Sequence, residues 1–243
     1  MKKYLSYFWL FLTVCVIAMN IYSVVWPLFW VSTADLSDQR STLITPAWYA
    51  FSIWSLIYMW ISAVAIYKVF RTPHLLKNNE LYAYGVSCVA NILWLVSRHS
   101  QSPTLALLCM LVLLASLVYL CNTLRIHKEQ RRIQSVFLVY LWWISVATLI
   151  NLLVVSIYVL GIFSSEHLIV PVVCLIAVAM LYSAVIYRHK LFEPALVVVW
   201  AYVAIVVASQ NQTITIVCTA LSVLLLLRVV SIYALPYINS PKK

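Results

Sequence analysis

Acidic, basic and imidazole side chains, which carry most enzyme chemistry, avoid the centres of the apolar segments of this 243-residue chain. The acids and histidines lie in or beside the gaps between these segments: Asp35, Asp38, Glu80, Glu129, Glu166, Glu193, His74, His99, His127, His167 and His189. Catalysis by a general acid and base needs such groups held together. Haem ligation or proton-coupled transport in a membrane needs them at mid-helix. We therefore expect neither an enzyme, nor a b-type cytochrome, nor an ion-coupled transporter.

Three asparagines do lie inside apolar segments. Asn20 is in the first segment, Asn91 in the third and Asn151 in the fifth. An amide surrounded by hydrocarbon needs a hydrogen-bond partner, which another helix or a bound ligand can supply. Bonding between helices is the commoner use, and the residues alone leave both uses open.

Aromatic rings share helix faces with two of these asparagines. Residues at helical spacing on one face are Ser87, Asn91 and Trp94 in the third segment, and Tyr140, Trp143, Ala147 and Asn151 in the fifth. In the second segment, Trp54 and Tyr58 stack along one face, whereas Trp48 is typical of the aromatic belt at a membrane interface. Aromatic walls with a few polar groups suit a flat, mostly apolar ligand, and packing without a ligand is the alternative.

Membrane-spanning helices must position these faces. The chain is 65% hydrophobic and only 9% charged, with a mean hydropathy of +1.00, whereas soluble domains carry about 25% charged residues. Eight apolar segments, most of them near the roughly 17–25 residues that cross a bilayer, lie at about 4–30, 46–70, 81–96, 104–124, 136–160, 168–187, 192–209 and 213–234. We predict an all-α, polytopic transmembrane bundle of about eight helices. The third and seventh segments are short, and the number of spans falls to six or seven if the last hairpin does not fully cross.

The formal net charge of +10 reflects membrane topology in this interpretation. With the N-terminus inside, only Arg40 and Arg98 of the 16 Lys and Arg residues fall on the outer side. Such a bias orients helices in a membrane, so we expect no nucleic-acid partner. We predict a protein integral to the cell (inner) membrane of a bacterium, with both termini cytoplasmic.

The composition of the chain changes near residue 160. Trp200 is the only tryptophan beyond that point, and Val, Leu and Ile dominate the last third. We predict a five-helix transmembrane bundle over residues 1–160 and a three-helix transmembrane extension over residues 161–243. The longest gap, 31–45, is the best candidate for a lid over a pocket. The six cysteines all lie in apolar segments without a Cys-x-x-Cys pair, so we expect neither disulfides nor a metal site.

Two stretches of the chain resemble the TspO family, the tryptophan-rich sensory proteins related to the mitochondrial translocator protein. Pro-Ala-Trp at 46–48, followed by Trp54 and Tyr58, is similar to the family's Pro-x-Trp…Trp-x-x-x-Tyr signature. In the third segment, Asn91 and Trp94 resemble its Asn-x-x-Trp motif.

A third stretch extends the resemblance to about residues 1–160. Tyr-Leu-Trp-Trp at 140–143 and Ala-Thr-Leu-Ile-Asn at 147–151 are similar to the family's Tyr-Leu-x-Trp…Thr-x-x-Asn run. The chain departs from the family where Val-Ser-Arg-His at 96–99 replaces an aromatic pair and where Val139 stands for a proline.

The resemblance implies a five-helix bundle with a pocket near a long first loop, lined from the second, third and fifth helices. Members bind porphyrins and, in some cases, sterols and synthetic ligands. The ligand-binding candidates carried over by motif are Trp48, Trp54, Tyr58, Asn91, Trp94, Trp143 and Asn151. Our own addition is that Arg98 and His99 pair with ligand carboxylates, with an interfacial anchor as the alternative.

We therefore predict an integral membrane protein that binds a hydrophobic, planar, tetrapyrrole-like ligand for sensing or transport. No cofactor is required, and a porphyrin or another tetrapyrrole is the candidate ligand. The expected partners are the lipid bilayer and a hydrophobic small molecule, with a homodimer left open. The alternatives are a structural or interaction subunit of a membrane complex and an uncoupled lipid or small-molecule permease. Enzyme activity is least supported by the residues, although porphyrin breakdown has been proposed for some family members.

Overall fold

The structure, a computed structural model, describes residues 2–26, 40–71, 77–125 and 131–233. These ranges contain eight α-helices and no strand, which confirms the all-α prediction. The helices are α1 (Lys2–Val25), α2 (Ile53–Phe70), α3 (Asn78–His99), α4 (Pro103–Arg125), α5 (Arg131–Tyr158), α6 (Ile169–His189), α7 (Glu193–Ala208) and α8 (Gln212–Tyr233). A 3₁₀ turn (Trp48–Ser52) leads directly into α2. Most of the predicted lid, 31–39, lies outside the described residues.

Seven of the described helices are long and apolar enough to cross a membrane. The backbone N–H and C=O groups of a helix bond to each other, so the helix can lie in hydrocarbon, where no water is available to bond them. The exception is α7, whose 16 residues span about 24 Å, against a hydrocarbon thickness of about 30 Å. The expectation of a short third segment is wrong, because the polar turn at 78–80 is also helical and α3 reaches 22 residues.

The first of two compact units contains the described residues within 1–40 and 51–162. Its five helices, α1 to α5, form a closed ring. Helix α1 contacts α2 and α3, α4 contacts α3 and α5, and α2 closes the ring against α5. The inward faces of these helices therefore share one interior, and this interior holds the candidate site.

The second unit contains the described residues within 41–50 and 163–243. Helices α6, α7 and α8 each contact the other two. The segment 41–50 joins them because the Ala47 amide donates a hydrogen bond to the Ala204 carbonyl (2.9 Å) and the Trp200 indole donates one to the Ala50 carbonyl (3.1 Å). The compact units thus divide near residue 160, as the composition does, but ten residues from the earlier part of the chain, 41–50, group with the later helices.

Candidate functional site

Four buried aromatic rings from three helices meet in the interior of the first unit. The Trp54 ring on α2 stacks on Tyr58, with centroids 5.4 Å apart, and on Trp94 of α3, at 5.9 Å. The Tyr140 ring of α5 meets Trp54 edge-on, at 5.5 Å. We call Trp54, Tyr58, Trp94 and Tyr140 the aromatic cluster.

Local sequence explains how each helix presents its ring to the cluster. Trp54 and Tyr58 are four residues apart, so they lie one turn apart on the same face of α2. Buried residues of α3 recur every three or four positions, and Asn91 and Trp94 belong to this buried face. The residues that the sequence spacing places on one face of each helix are therefore buried in the interior of the unit.

Asn91 connects the cluster to a fourth helix. Its side chain is fully buried. Its Oδ1 atom accepts hydrogen bonds from the Tyr58 hydroxyl (3.2 Å) and from Nδ2 of Asn20 on α1 (3.0 Å), and its Nδ2 atom donates to the Tyr140 hydroxyl (2.9 Å). Of the two uses that the sequence left open for this amide, the structure shows bonding between helices.

Asn151 is buried on α5 but bonds differently. Its Nδ2 atom donates to the Ala147 carbonyl one turn earlier, at 2.8 Å, so this bond stays within its own helix. Asn20 makes a similar bond to the Val16 carbonyl, at 2.9 Å, in addition to its bond with Asn91. Of the three asparagines, Asn20 and Asn91 therefore join two helices, whereas the bond of Asn151 does not.

The buried indole groups of the first unit whose N–H donors have no acceptor in the structure include those of Trp9 on α1, Trp94 in the aromatic cluster and Trp143 on α5. The Trp143 ring lies edge-on to Phe51, with centroids 6.4 Å apart. A buried donor without a partner costs roughly 1–3 kcal/mol, so the indole groups of Trp94 and Trp143 can bind an acceptor that enters the site.

Comparison with known proteins identifies the family. The sequence model of the family described as TSPO-like protein matches residues 6–233. The chain belongs to this TSPO-like family. No curated protein and no solved structure matches it.

The family match reaches beyond the part of the chain that the sequence motifs covered. The resemblance described above extends to about residue 160, whereas the family model also includes α6, α7 and α8. The last three helices are therefore a part of what the TSPO-like family shares. Together with seven helices of membrane-spanning length and composition, this match makes the chain an integral membrane protein of the TspO family.

Trp48 differs from the other motif tryptophans of this TSPO-like chain. It belongs to the second unit, and 78% of its surface is exposed. Its ring lies edge-on to Tyr49, and the Tyr49 ring in turn meets Trp200. This exposure is typical of an aromatic residue at a membrane interface.

Arg98 and His99 end α3 one turn beyond Trp94. The Arg98 guanidinium lies 6.0 Å from the centroid of the Trp94 ring, and its Nε atom is buried without a hydrogen-bond partner. His99 is buried, and its Nδ1 atom bonds the Leu95 carbonyl at 2.9 Å. Arg98 therefore supplies a cationic group beside the aromatic cluster.

Sequence reasoning placed Tyr140 on the right face but did not include it among the site residues. Its hydroxyl accepts the Asn91 bond, and its ring closes one side of Trp54. The signal that could have found it is its spacing, since Tyr140 precedes Trp143 by three residues. Asn20 was recognised as a buried amide, but its partner on α3 is 71 residues away and follows no local pattern.

Proposed function

We propose that this TSPO-like membrane protein binds a planar, mostly apolar ligand against the aromatic cluster of its first unit. The observation that carries the proposal is that Trp94, within the stacked rings, and Trp143, one turn after Tyr140 on α5, both have buried indole N–H donors without an acceptor. A flat ligand with a few acceptor atoms complements such walls, because it stacks on the rings and satisfies the donors. A tetrapyrrole, with its large π-surface and carboxylate side chains, is the first candidate.

Each residue has a separate role in this proposal. Trp54 and Trp94 provide the stacking surfaces, and Trp143 provides a hydrogen-bond donor. The Arg98 guanidinium pairs with a ligand carboxylate, since it lies next to the Trp94 ring and carries a buried free donor. Asn91 is a positioning residue, because its bonds hold the hydroxyl groups of Tyr58 and Tyr140 in place.

One further motif residue completes the proposed site. Asn151 donates one amide hydrogen to Ala147, so its second hydrogen can serve a ligand. Trp48 is left out of the proposed site, because it belongs to the second unit. Apart from the Arg98 guanidinium, the groups named at the cluster are amides, phenols and indoles, so we propose binding without chemical conversion, for sensing or transport and with no cofactor.

A titration with protoporphyrin IX tests the proposal. Purified wild type in detergent is compared with Trp94→Phe and Trp143→Phe, which keep an aromatic ring but remove the indole N–H. We expect saturable binding at one site, weakened about tenfold in each variant, because one lost hydrogen bond to a charged or polar acceptor corresponds to about 1.4 kcal/mol. The readout is the absorbance and fluorescence of the porphyrin.

Trp60→Phe is the matched control, since Trp60 is on α2 like Trp54 but is exposed on the outside of the unit. It should bind as wild type does. Quenching that does not saturate and is equal in all four proteins would show partition of porphyrin into the detergent, and the tetrapyrrole proposal would then be abandoned.

The bonding of Asn91 favours one alternative function. Its three hydrogen bonds to other helices are what a purely structural core would contain. In that case the protein is a structural or interaction subunit of a membrane complex. A partner that co-purifies at fixed stoichiometry, with no saturable porphyrin binding, is the result that this alternative predicts.

A further inference from the structure

A groove of about 480 Å³ lies between α6 and α8 of the second unit. Its walls are mainly apolar, with Met180 on α6 and Leu224 on α8 among the residues that line it. One end of the groove carries Tyr187 and Arg228. We call it the α6–α8 groove. Its walls are mainly apolar, and Arg228 makes one end cationic.

Arg228 forms no ion pair with the residues that the structure describes. Its guanidinium lies 4.5 Å from the centroid of the Tyr187 ring, and its Nε atom is buried without a hydrogen-bond partner. Within the described ranges, no carboxylate comes within 4.0 Å of it, since the ion pair found there joins Lys68 to Glu80. A guanidinium offers a planar fork of donors that matches phosphate oxygens, so this group is suited to an anionic partner.

The groove is nearly as long as half the hydrocarbon core of a bilayer is thick. Helices α6 and α8 run in parallel, because Tyr187 meets Arg228 and the Tyr233 hydroxyl donates to the Lys190 carbonyl at their C-terminal ends. From Ala179 to Tyr187 the groove follows α6 for about 12 Å at 1.5 Å per residue. Half of the roughly 30 Å hydrocarbon core is about 15 Å. Arg228 lies five residues before the end of α8, so its long side chain can extend towards the lipid phosphates.

The groove is open on one side rather than enclosed. Met180, Ala184 and Leu224 line it and remain exposed on the helix surfaces. A chain that enters from the side can therefore occupy it while the rest of the molecule stays in the bilayer. This arrangement suits a lipid with two chains better than a ligand that must be wholly enclosed.

We infer that the α6–α8 groove binds one anionic phospholipid, with an acyl chain along the apolar walls and the headgroup phosphate on Arg228. A zwitterionic phospholipid binds less well, because its own ammonium group competes with Arg228 for the phosphate. The site is in the second unit and does not depend on the ligand proposed for the aromatic cluster.

Native mass spectrometry of protein purified from an equimolar mixture of dioleoyl phosphatidylglycerol and dioleoyl phosphatidylcholine tests this inference. We expect wild type to retain one phosphatidylglycerol molecule, with at least a fivefold preference over phosphatidylcholine. Arg228→Gln should lose this preference, whereas Arg228→Lys should keep part of it. Ala184→Phe fills the groove from its exposed side without touching the charge, and it should also lose the retained lipid.

Arg188→Gln is the matched control, because Arg188 is exposed at the same end of α6 and its replacement removes the same charge. It should retain phosphatidylglycerol as wild type does. Equal loss in Arg188→Gln and Arg228→Gln would mean attraction to a basic surface only and would overturn the site. Unchanged retention in Arg228→Gln would overturn it as well.

A further arm separates the two sources of an anionic headgroup. Oleic acid at equimolar concentration should leave the bound phosphatidylglycerol in place, and its displacement would assign the groove to a free fatty acid instead. Size-exclusion profiles and melting temperatures show which variants fold. If Arg228→Gln does not fold, the comparison of Arg228→Lys with Ala184→Phe decides the matter.

Discussion

At the scale of single residues, Asn91 joins four helices of the first unit. One amide bonds side chains from three other helices, Asn20 on α1, Tyr58 on α2 and Tyr140 on α5. Each of these partners is polar and would otherwise face hydrocarbon or aromatic carbon. The same bonds hold the Tyr58 and Tyr140 rings of the aromatic cluster in place. Both the packing of the helices and the proposed ligand binding therefore depend on Asn91.

We expect Asn91→Leu to reduce the free energy of unfolding by about 1–3 kcal/mol, because hydrogen bonds between helices in membranes contribute about 0.6 kcal/mol on average and up to about 1.7 kcal/mol each. Unfolding by sodium dodecyl sulfate in mixed micelles measures the change. Asn20→Leu removes one of the three bonds and should cost less.

Asn151→Leu is the control at this scale, since the bond of Asn151 stays within α5. Its unfolding should resemble that of wild type. An equal loss of stability in Asn91→Leu and Asn151→Leu would contradict the role given to the network.

At the scale of helices, a buried ion pair joins the end of α2 to the start of α3. The Lys68 ammonium lies 3.5 Å from the Glu80 carboxylate, and both side chains are almost completely buried. Lys68 also lies 4.9 Å from the Trp9 ring of α1, and this ring stacks on Tyr84 of α3 at 4.0 Å. Three helices therefore converge on a pair of charges removed from water.

Breaking this pair should be more harmful than removing it. We expect Glu80→Leu to lower the free energy of unfolding by about 3–5 kcal/mol, because it leaves the Lys68 charge buried without a partner. The double variant Lys68→Met with Glu80→Leu should recover most of this loss, since no buried charge remains. Unfolding of the two variants in mixed micelles makes the comparison, and a double variant as unstable as Glu80→Leu would disprove the explanation.

At the scale of the whole molecule, the topology of the last helices depends on whether α7 crosses the membrane. Its 16 residues cover about 24 Å, and the turn at 209–211 carries polar residues that suit the interface. A short hydrophobic helix can still cross when the bilayer thins locally. The charge bias of the sequence predicts that both termini lie on the same side of the membrane. The number of crossings must then be even.

We expect α7 to cross the membrane. In a chain whose six native cysteines are replaced by alanine, His189→Cys and Gln210→Cys each introduce one thiol at an exposed position. A membrane-impermeant maleimide should label His189→Cys from the cytoplasmic side and Gln210→Cys from the opposite side. Labelling of both thiols from one side would show that α7 does not span.

The sequence by itself determined the class of the protein, most helix positions and the faces that carry the site. These properties are local, because the bilayer demands that each segment be long, apolar and internally hydrogen-bonded. The 3.6-residue period then places Asn91 beside Trp94, and Trp54 beside Tyr58, without reference to any other helix. For the same reason, three short motifs were sufficient to recognise the family.

Only the tertiary structure decided which of these faces meet. The partners of Asn91 on α1, α2 and α5 lie 71, 33 and 49 residues away. The grouping of 41–50 with α7 is also non-local, and the buried Lys68–Glu80 pair joins two different helices. Helical periodicity determines the direction of a side chain relative to its own helix axis. Which partner it reaches depends on how neighbouring helices rotate and pack, and that is a property of the whole bundle.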